Sequence, residues 1–595
     1  MKTVAIVWLG QSFKFLLISR GYHWYVQIDL WCEDDYFDAA TKAELLAIRD
    51  DEKEIRERFY QNLEFGTGGP RGIIGAGTNR MNLYTVRKAT QGLANFILKE
   101  GGAEKGVAIA YDSRRMSIEF SEEAALCLCA NGIKAYRFES LRPTPELSFA
   151  LRELGCIAGI VVTASHNPAE YNGYKVYWED GAQITPPKDT DIINEVNAVT
   201  DFHKVKTMSR LDAIKAGLYR VIGSEIDDRY MEELKKQVLR PDIIKKAGKD
   251  MKVVYTPLHG TGNLPARRIL KEIGFEQVYV VPEQEKPNGD FPTVASPNPE
   301  NKSAFELALK LAEEVGADLV LATDPDADRL GVYAKDSESG EYKSFTGNMS
   351  GMLICEYLLS GRRELNRLHD DGFLVKTIVS TNMTDLIAKE YGVELKECLT
   401  GFKFIGELIK LSEQSGKGHY EFGFEESYGC LVGTHARDKD AIVAVMVLCE
   451  AAAYYRTKGL TLWDQMMNIY RKYGFFREGL ETLTLKGFEG AAQIKAMMEK
   501  IRNNPPKKLG TYDVLEFRDY EKDVVLDTKS GKTKPTGLRK SNVLYFDLND
   551  NAWACVRPSG TEPKIKFYMG VKGSSFEDAD AKLKALDEAM MELAK

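Results

Sequence analysis

The run Gly159-Ile-Val-Val-Thr-Ala-Ser-His-Asn-Pro168 decides how the rest of the chain is read. Gly159 to Val162 form a short apolar run bounded by turn formers, which predicts a buried strand. Thr163, Ser165 and His166 follow together. Asn167-Pro-Ala-Glu170 then offers a cap residue, Pro in the first helical position and Glu in the third, and so predicts a helix. Ser165 is expected on a strand-to-helix turn, where free backbone N–H groups favour an anion. A serine held there is a nucleophile, a phosphate ligand or a turn residue.

Outward from this run the chain alternates strands and helices. Upstream, helices are expected over 86–99, 120–130 and 147–154, with strands over 106–111 and 135–138. Downstream, Tyr171-Asn-Gly-Tyr174 carries a turn signal that brings Lys175 near the serine. The pattern repeats with a strand over 252–255 and a helix over 265–273. Ser303-Ala-Phe-Glu306 reads as a capping box opening a helix over 304–315, and a strand over 318–322 follows. A third β-α region runs from 345 to about 472, and the chain from about 475 has a different character. The fold class is α/β: three similar mixed-sheet domains over 31–225, 226–342 and 343–474, then a distinct α+β domain over 475–595.

At 595 residues the chain is too long for one core. Its 80 basic and 88 acidic side chains leave a net charge of −8, which argues against a nucleic-acid partner. Nine scattered cysteines without CxxC spacing read as reduced core residues of a cytoplasmic protein. No apolar run approaches the roughly 18–20 residues of a membrane span. Residues 1–30 hold two short apolar patches interrupted by Gln11, Ser12 and Lys14, with no clear cleavage site. They read as an extension ahead of the fold, not as a secretory signal.

Five further places in the chain carry chemistry. Phe65 to Gly77 places six glycines around Arg71, a loop whose backbone can approach an anion, though without the Gly-Lys-Ser/Thr of a Walker loop. Arg114 follows a strand, where ligands of open sheets collect. In Thr323-Asp-Pro-Asp-Ala-Asp-Arg329, Asp324, Asp326 and Asp328 repel one another unless they share a cation. Hard oxygen donors point to Mg²⁺, with Mn²⁺ or Ca²⁺ as alternatives. Glu425 and Ser427, in Gly423-Phe-Glu-Glu-Ser427, would face the same way on an extended segment and suit a pair of vicinal hydroxyls. Finally Arg557, Ser559, Gly560 and Thr561 form a compact phosphate cradle. His259 and His435 read as structural.

Taken together, these motifs resemble the α-D-phosphohexomutase superfamily, the phosphoglucomutases and phosphomannomutases. Thr163–Pro168 resembles its phosphoserine loop, Asp324–Arg329 its metal loop, Gly423–Ser427 its sugar loop and Arg557–Pro563 its phosphate loop, in the family's order from about residue 31 onward. The resemblance implies a heart-shaped, four-domain enzyme with a central cleft. It implies an intramolecular phosphotransferase that interconverts glucose 1-phosphate and glucose 6-phosphate through phospho-Ser165 and a bisphosphorylated sugar, which also serves as activator. One Mg²⁺ would be held by Ser165, Asp324, Asp326 and Asp328. Catalytic candidates are Ser165, His166, Arg71, Lys175 and Lys439. Substrate-binding candidates are Arg114, Arg329, Thr400, Gly401, Lys403, Glu425, Ser427 and the residues of the phosphate cradle. Pro70 departs from the leucine of many members, and the sugar loop lacks the Gly-His ending of bifunctional mannose/glucose enzymes, which favours glucose. Phosphomannomutase and phosphopentomutase activity are alternatives; a metal-dependent phosphatase or a sugar-phosphate-binding regulator are more remote ones.

Overall fold

Strand Ala158–Val162 lies inside a six-stranded sheet, and all five of its residues are buried. The computed structural model describes residues 3–9, 12–18, 23–65, 68–485, 487–559 and 564–594. The strand runs parallel to Val107–Tyr111 and antiparallel to Tyr171–Trp178. Its side chains alternate between two cores. Val161 packs with Leu147 and Leu151 of helix Thr144–Glu153 on one face, while Ile160 and Val162 pack with Leu93 of Leu83–Lys99 and Phe120 of Ser117–Ala130 on the other. Burial on both faces is why this strand reads as an unbroken apolar run.

The helix expected after Asn167 does not form. Asn167 N–H donates to the Ala164 carbonyl and Tyr171 N–H to the Pro168 carbonyl, so these residues make two tight turns. The chain then returns as strand Tyr171–Trp178. Six of these eight residues are aromatic, β-branched or long-chained, and burial of the strand outweighs a four-residue helix signal and the Asn-Gly turn signal together. Ser165 therefore sits on a strand-to-strand loop, and Lys175 on the returning strand.

The second sheet orders Gln277–Val280, Lys252–Thr256, Leu319–Thr323, Leu330–Lys335 and Tyr342–Phe345, the first three parallel and the last two antiparallel. The third orders Glu394–Cys398, Gly372–Thr377, His419–Glu425 and Gly429–Leu431, again with an antiparallel return at the end. Ser303 caps nothing: it lies inside the 3₁₀ turn Lys302–Phe305, and helix Glu306–Val315 starts beyond it. The C-terminal sheet is different, being antiparallel throughout from Phe475–Thr484 to Lys564–Gly573. Helix Phe576–Leu593 covers it with Ala579, Leu586 and Met590 buried; cutting Leu586 to Ala would cost about 2–5 kcal/mol.

Near the N-terminus, Thr3–Leu9 and Ser12–Ile18 pair as an antiparallel hairpin. Helix His23–Glu33 crosses position 30 and is part of the fold: its Trp31 stacks on Phe37 at 4.2 Å and meets Phe59 and Tyr84 edge-on. Eight of the nine cysteines are buried, and all nine are free thiols. No helix among the described residues is long and apolar enough to cross a membrane.

Candidate active site

Three loops occupy the same corner of the three α/β sheets, each joining a parallel strand to its antiparallel return. The first carries Ser165, the second the three aspartates and the third Glu425 to Ser427. Ser165 is buried and adopts φ +51°, a left-handed conformation that an L residue holds only when its surroundings fix it. They do. Its N–H donates to Thr163 Oγ1 at 2.7 Å, and the Thr163 hydroxyl donates to Asp112 Oδ2 at 2.7 Å. Its own hydroxyl donates to Asp324 Oδ2 at 2.7 Å and lies 3.2 Å from His166 Nδ1. Burial, then the charges of Arg329 and Arg71, push His166 down to about 2, so its imidazole is neutral.

Carboxylate oxygens of Asp324, Asp326 and Asp328 lie within 4.8 Å of one another, all buried. Asp324 Oδ1 accepts the N–H groups of Asp328 and Arg329 at 3.1 and 3.0 Å. Asp326 Oδ2 accepts from Lys175 Nζ at 2.7 Å and from the Thr144 hydroxyl at 2.8 Å, while Asp328 Oδ2 meets Lys439 Nζ at 3.2 Å and Lys175 Nζ at 3.3 Å. That leaves Asp326 Oδ1 and Asp328 Oδ1, both buried, without a hydrogen bond. Two orphaned carboxylate oxygens beside Asp324 Oδ2 and Ser165 Oγ form an all-oxygen donor set that fits a hard divalent cation. Burial and the charges of Asp326 and Asp328 drive Asp324 well above the usual carboxylate range. Burial works against Asp326 as well, but the Lys175 charge and hydrogen bond outweigh it and hold that carboxyl low.

At the third corner, strand His419–Glu425 ends on Glu425, and Ser427 lies in the following turn, where Tyr428 takes φ +68°. The two do not share an extended segment. Glu425 is buried, accepts the Gly401 N–H at 3.0 Å and is pushed up by burial, with Lys439 and Arg329 acting against that shift. Lys403 Nζ reaches the Ile184 carbonyl at 3.4 Å, and Thr400 is half-buried at the same loop. Arg329 pairs with Glu300. Arg557 and Ser559 line a cavity of about 680 Å³ together with Lys88, Lys566 and Pro70. Gly560 and Thr561 lie outside the described residues.

Arg71 opens the short strand Arg71–Ile73 and reaches Asn167 Oδ1 at 3.3 Å, beside the serine loop. The glycines beside it serve the strand as much as any ligand: a Cβ on Gly69 (φ +117°) would sit 1.7 Å from the Tyr174 carbonyl oxygen. Arg114 departs from expectation. Its side chain is wholly buried and contacts loop carbonyls, leaving no surface for a substrate. His259 and His435 bond to Thr293 and Asp440, in keeping with structural roles.

Models of the phosphoglucomutase/phosphomannomutase α/β/α domains I, II and III match residues 62–202, 228–339 and 346–473. The chain belongs to the phosphoglucomutase/phosphomannomutase family. It is 36% identical over 533 residues to a phosphoglucomutase of Staphylococcus aureus strain USA300, covering 90% of this chain and 94% of that protein. A phosphoglucomutase of Staphylococcus saprophyticus is 35% identical over 534 residues, covering 90% and 95%. Among solved structures, parafusin from Paramecium superposes with a TM-score of 0.66 at 19% identity, covering 90% of this chain and 95% of that one. A family member from Burkholderia thailandensis superposes at 0.63 with 19% identity, covering 89% and 96%. The fold is thus the four-unit mutase architecture, and the chain is a phosphohexomutase.

Sequence reasoning missed Thr144, Thr163, Asp112 and Asp438, whose Oδ1 holds Lys439 Nζ at 2.9 Å. Thr163 stands in the quoted run beside Ser165, but its pairing with Asp112 spans 51 positions and only the sheet reveals it.

Proposed function

We propose that the chain interconverts glucose 1-phosphate and glucose 6-phosphate, with Ser165 as the phosphoryl carrier and a bisphosphorylated glucose as intermediate and activator. One observation carries this reading: the Ser165 hydroxyl lies 2.7 Å from Asp324 Oδ2, at the mouth of a buried three-aspartate cluster with two unsatisfied oxygens. Mg²⁺ held there by Asp324, Asp326, Asp328 and Ser165 would neutralise charge spreading over the transferred phosphoryl group. Lys175 and Lys439 stay protonated beside the aspartates and supply fixed positive charge, and Arg71 adds a third cation from the facing strand. His166, held neutral and 3.2 Å from Ser165 Oγ, is too weak a base to take the serine proton and in this reading orients the hydroxyl that donates to Asp324 Oδ2.

In this reading Glu425 and Ser427 hold the sugar hydroxyls, with Thr400, Gly401 and Lys403 beside them and Arg329 between the sugar and metal loops. Arg557, Ser559, Gly560 and Thr561 bind the non-reacting phosphate. The transfer then moves the phosphoryl group from Ser165 to the free hydroxyl, and the bisphosphate turns end for end before returning its other phosphate. Four units, the first opening at helix His23–Glu33 and running to 225, then 226–342, 343–474 and 475–595, each contribute one loop to the cleft. Free cysteines throughout fit a cytoplasmic setting.

The test is a coupled assay of glucose 1-phosphate with trace glucose 1,6-bisphosphate and Mg²⁺, repeated with mannose and ribose phosphates. The expected result is strongest turnover with glucose and loss of at least about 10³-fold in Ser165→Ala. Full isomerisation by that variant would overturn the carrier, and stronger turnover of mannose or ribose would overturn the substrate.

A further inference from the structure

We infer that Arg114 is a positioning residue for the serine loop, and that it is held to that task by a strap from the second unit. A guanidinium with no exposed surface cannot touch a sugar phosphate; it can only organise what surrounds it. Arg114 Nη1 donates to the carbonyls of Pro168 and Tyr171 at 2.8 and 3.0 Å. Nη2 donates to the Ser165 carbonyl at 2.6 Å and to that of Asn167. One planar fork thus gathers four carbonyls spanning Ser165 to Tyr171, including that of the serine itself. A lysine, a point charge on a flexible stem, could not reproduce this.

The fork is fixed from two sides. Beneath it, Asp112 Oδ2 lies 3.4 Å from Arg114 Nε, and its Oδ1 accepts the Arg114 N–H at 2.9 Å. The same carboxylate takes the Thr163 hydroxyl at 2.7 Å, and Thr163 takes the Ser165 N–H, so Asp112 and Arg114 together hold both the N–H and the carbonyl of the serine. Above it, the Phe291 ring lies 4.9 Å from the guanidinium carbon in a cation–π contact. Phe291 is buried at φ +45°, so its backbone too is held in a conformation that needs support.

Phe291 belongs to a strap between helix Pro282–Glu285 and the 3₁₀ turn Lys302–Phe305. The strap meets the first unit at three further points. Asp290 pairs with Arg115, the Ser296 hydroxyl donates to the His166 carbonyl at 2.6 Å, and Gly289 lies so close that a Cβ would stand 2.5 Å from the Arg115 nitrogen. The second unit therefore supplies the aspartate cluster and also fixes the serine that faces it. The two halves of the phosphoryl site share one register because the same unit sets both.

This inference rests on the reading of Ser165 as phosphoryl carrier, and the test separates the two. Each enzyme is loaded with glucose 1,6-bisphosphate, and phosphate on Ser165 is followed by intact-mass spectrometry as glucose 6-phosphate is added in a single turnover. A misplaced reacting atom costs about 100-fold, so Arg114→Met should lose phosphoryl groups about 100-fold more slowly, per folded molecule. The glucose 6-phosphate concentration at half-saturation should stay within about twofold. Arg114→Lys should stay at least about tenfold slow, because it keeps the charge and loses the fork. If Arg114→Met does not fold, Ser296→Ala and Phe291→Leu take its place, each expected to be about 3–10-fold slow with unchanged half-saturation. A wild-type single-turnover rate in these variants would overturn the inference. So would weakened half-saturation at unchanged rate in Arg114→Met, which would put Arg114 on the substrate. Label accumulating on Ser165→Ala would instead overturn the carrier reading.

Discussion

The serine loop and the metal loop occupy equivalent corners of two similar sheets, yet their backbones are held differently. The metal loop closes on local bonds, Asp324 Oδ1 taking the N–H groups of residues four and five positions on, while Thr144, Lys175 and Lys439 of other units reach its carboxylates. The serine loop is held from outside, by Asp112 and Arg114 across the sheet and by Ser296 and Phe291 of another unit. A loop that binds a cation gains its final order from the ion. Under the proposed function, a loop whose serine presents one oxygen to that ion needs its geometry set beforehand.

Substitutions that spare local bonds in one loop and cut distant ones in the other sharpen this difference. Asp326→Asn leaves both N–H bonds to Asp324 intact while removing one charge from the cluster. Turnover should fall by about 10²–10³-fold and the thermal midpoint should drop modestly, because buried Lys175 loses its charged partner, as assay and calorimetry would show. An unchanged rate would remove Asp326 from the metal site. Thr163→Val strips the buried Ser165 N–H of its acceptor. It should cost about 1–3 kcal/mol by chemical denaturation and slow turnover about tenfold, whereas a backbone closed on local bonds would lose neither.

The third corner gives the smallest effect, with a sign fixed by pH. Burial, then the Glu425 charge, push Glu426 from 4.5 up to about 7. The folded state therefore holds a proton that the unfolded chain releases between those values, and stability is lost as pH rises through that window. Glu426→Gln should raise stability by about 1–2 kcal/mol at pH 8 and leave it nearly unchanged at pH 4.5, where the glutamate is already neutral. An equal gain at both pH values would mean that Glu426 does not titrate in this window.

What the sequence revealed follows the same division. That Asp324, Asp326 and Asp328 cluster could be read directly because they stand at alternate positions of one segment. The strand Ala158–Val162 was legible because burial on both faces makes it apolar throughout. The return strand Tyr171–Trp178 was not: its Asn-Gly pair and the Pro168 before it mimic a turn and a helix start, and only pairing with neighbouring strands decides the matter. Arg114 was singled out for substrate binding, yet its buried side chain gathers four carbonyls, and nothing local distinguishes that from a cation that faces solvent. Ser427 was placed on an extended segment because the end of strand His419–Glu425 depends on its partner Gly429–Leu431. Tertiary pairing, invisible in spacing, accounts for each of these differences.

The central claim is that Ser165 carries the phosphoryl group. Phosphopeptide mass spectrometry of enzyme incubated with glucose 1,6-bisphosphate addresses it most directly. The expected result is phosphate on the peptide containing Ser165 and its removal on adding glucose 6-phosphate. Phosphate confined to another residue, or label on Ser165 that glucose 6-phosphate leaves in place, would contradict it.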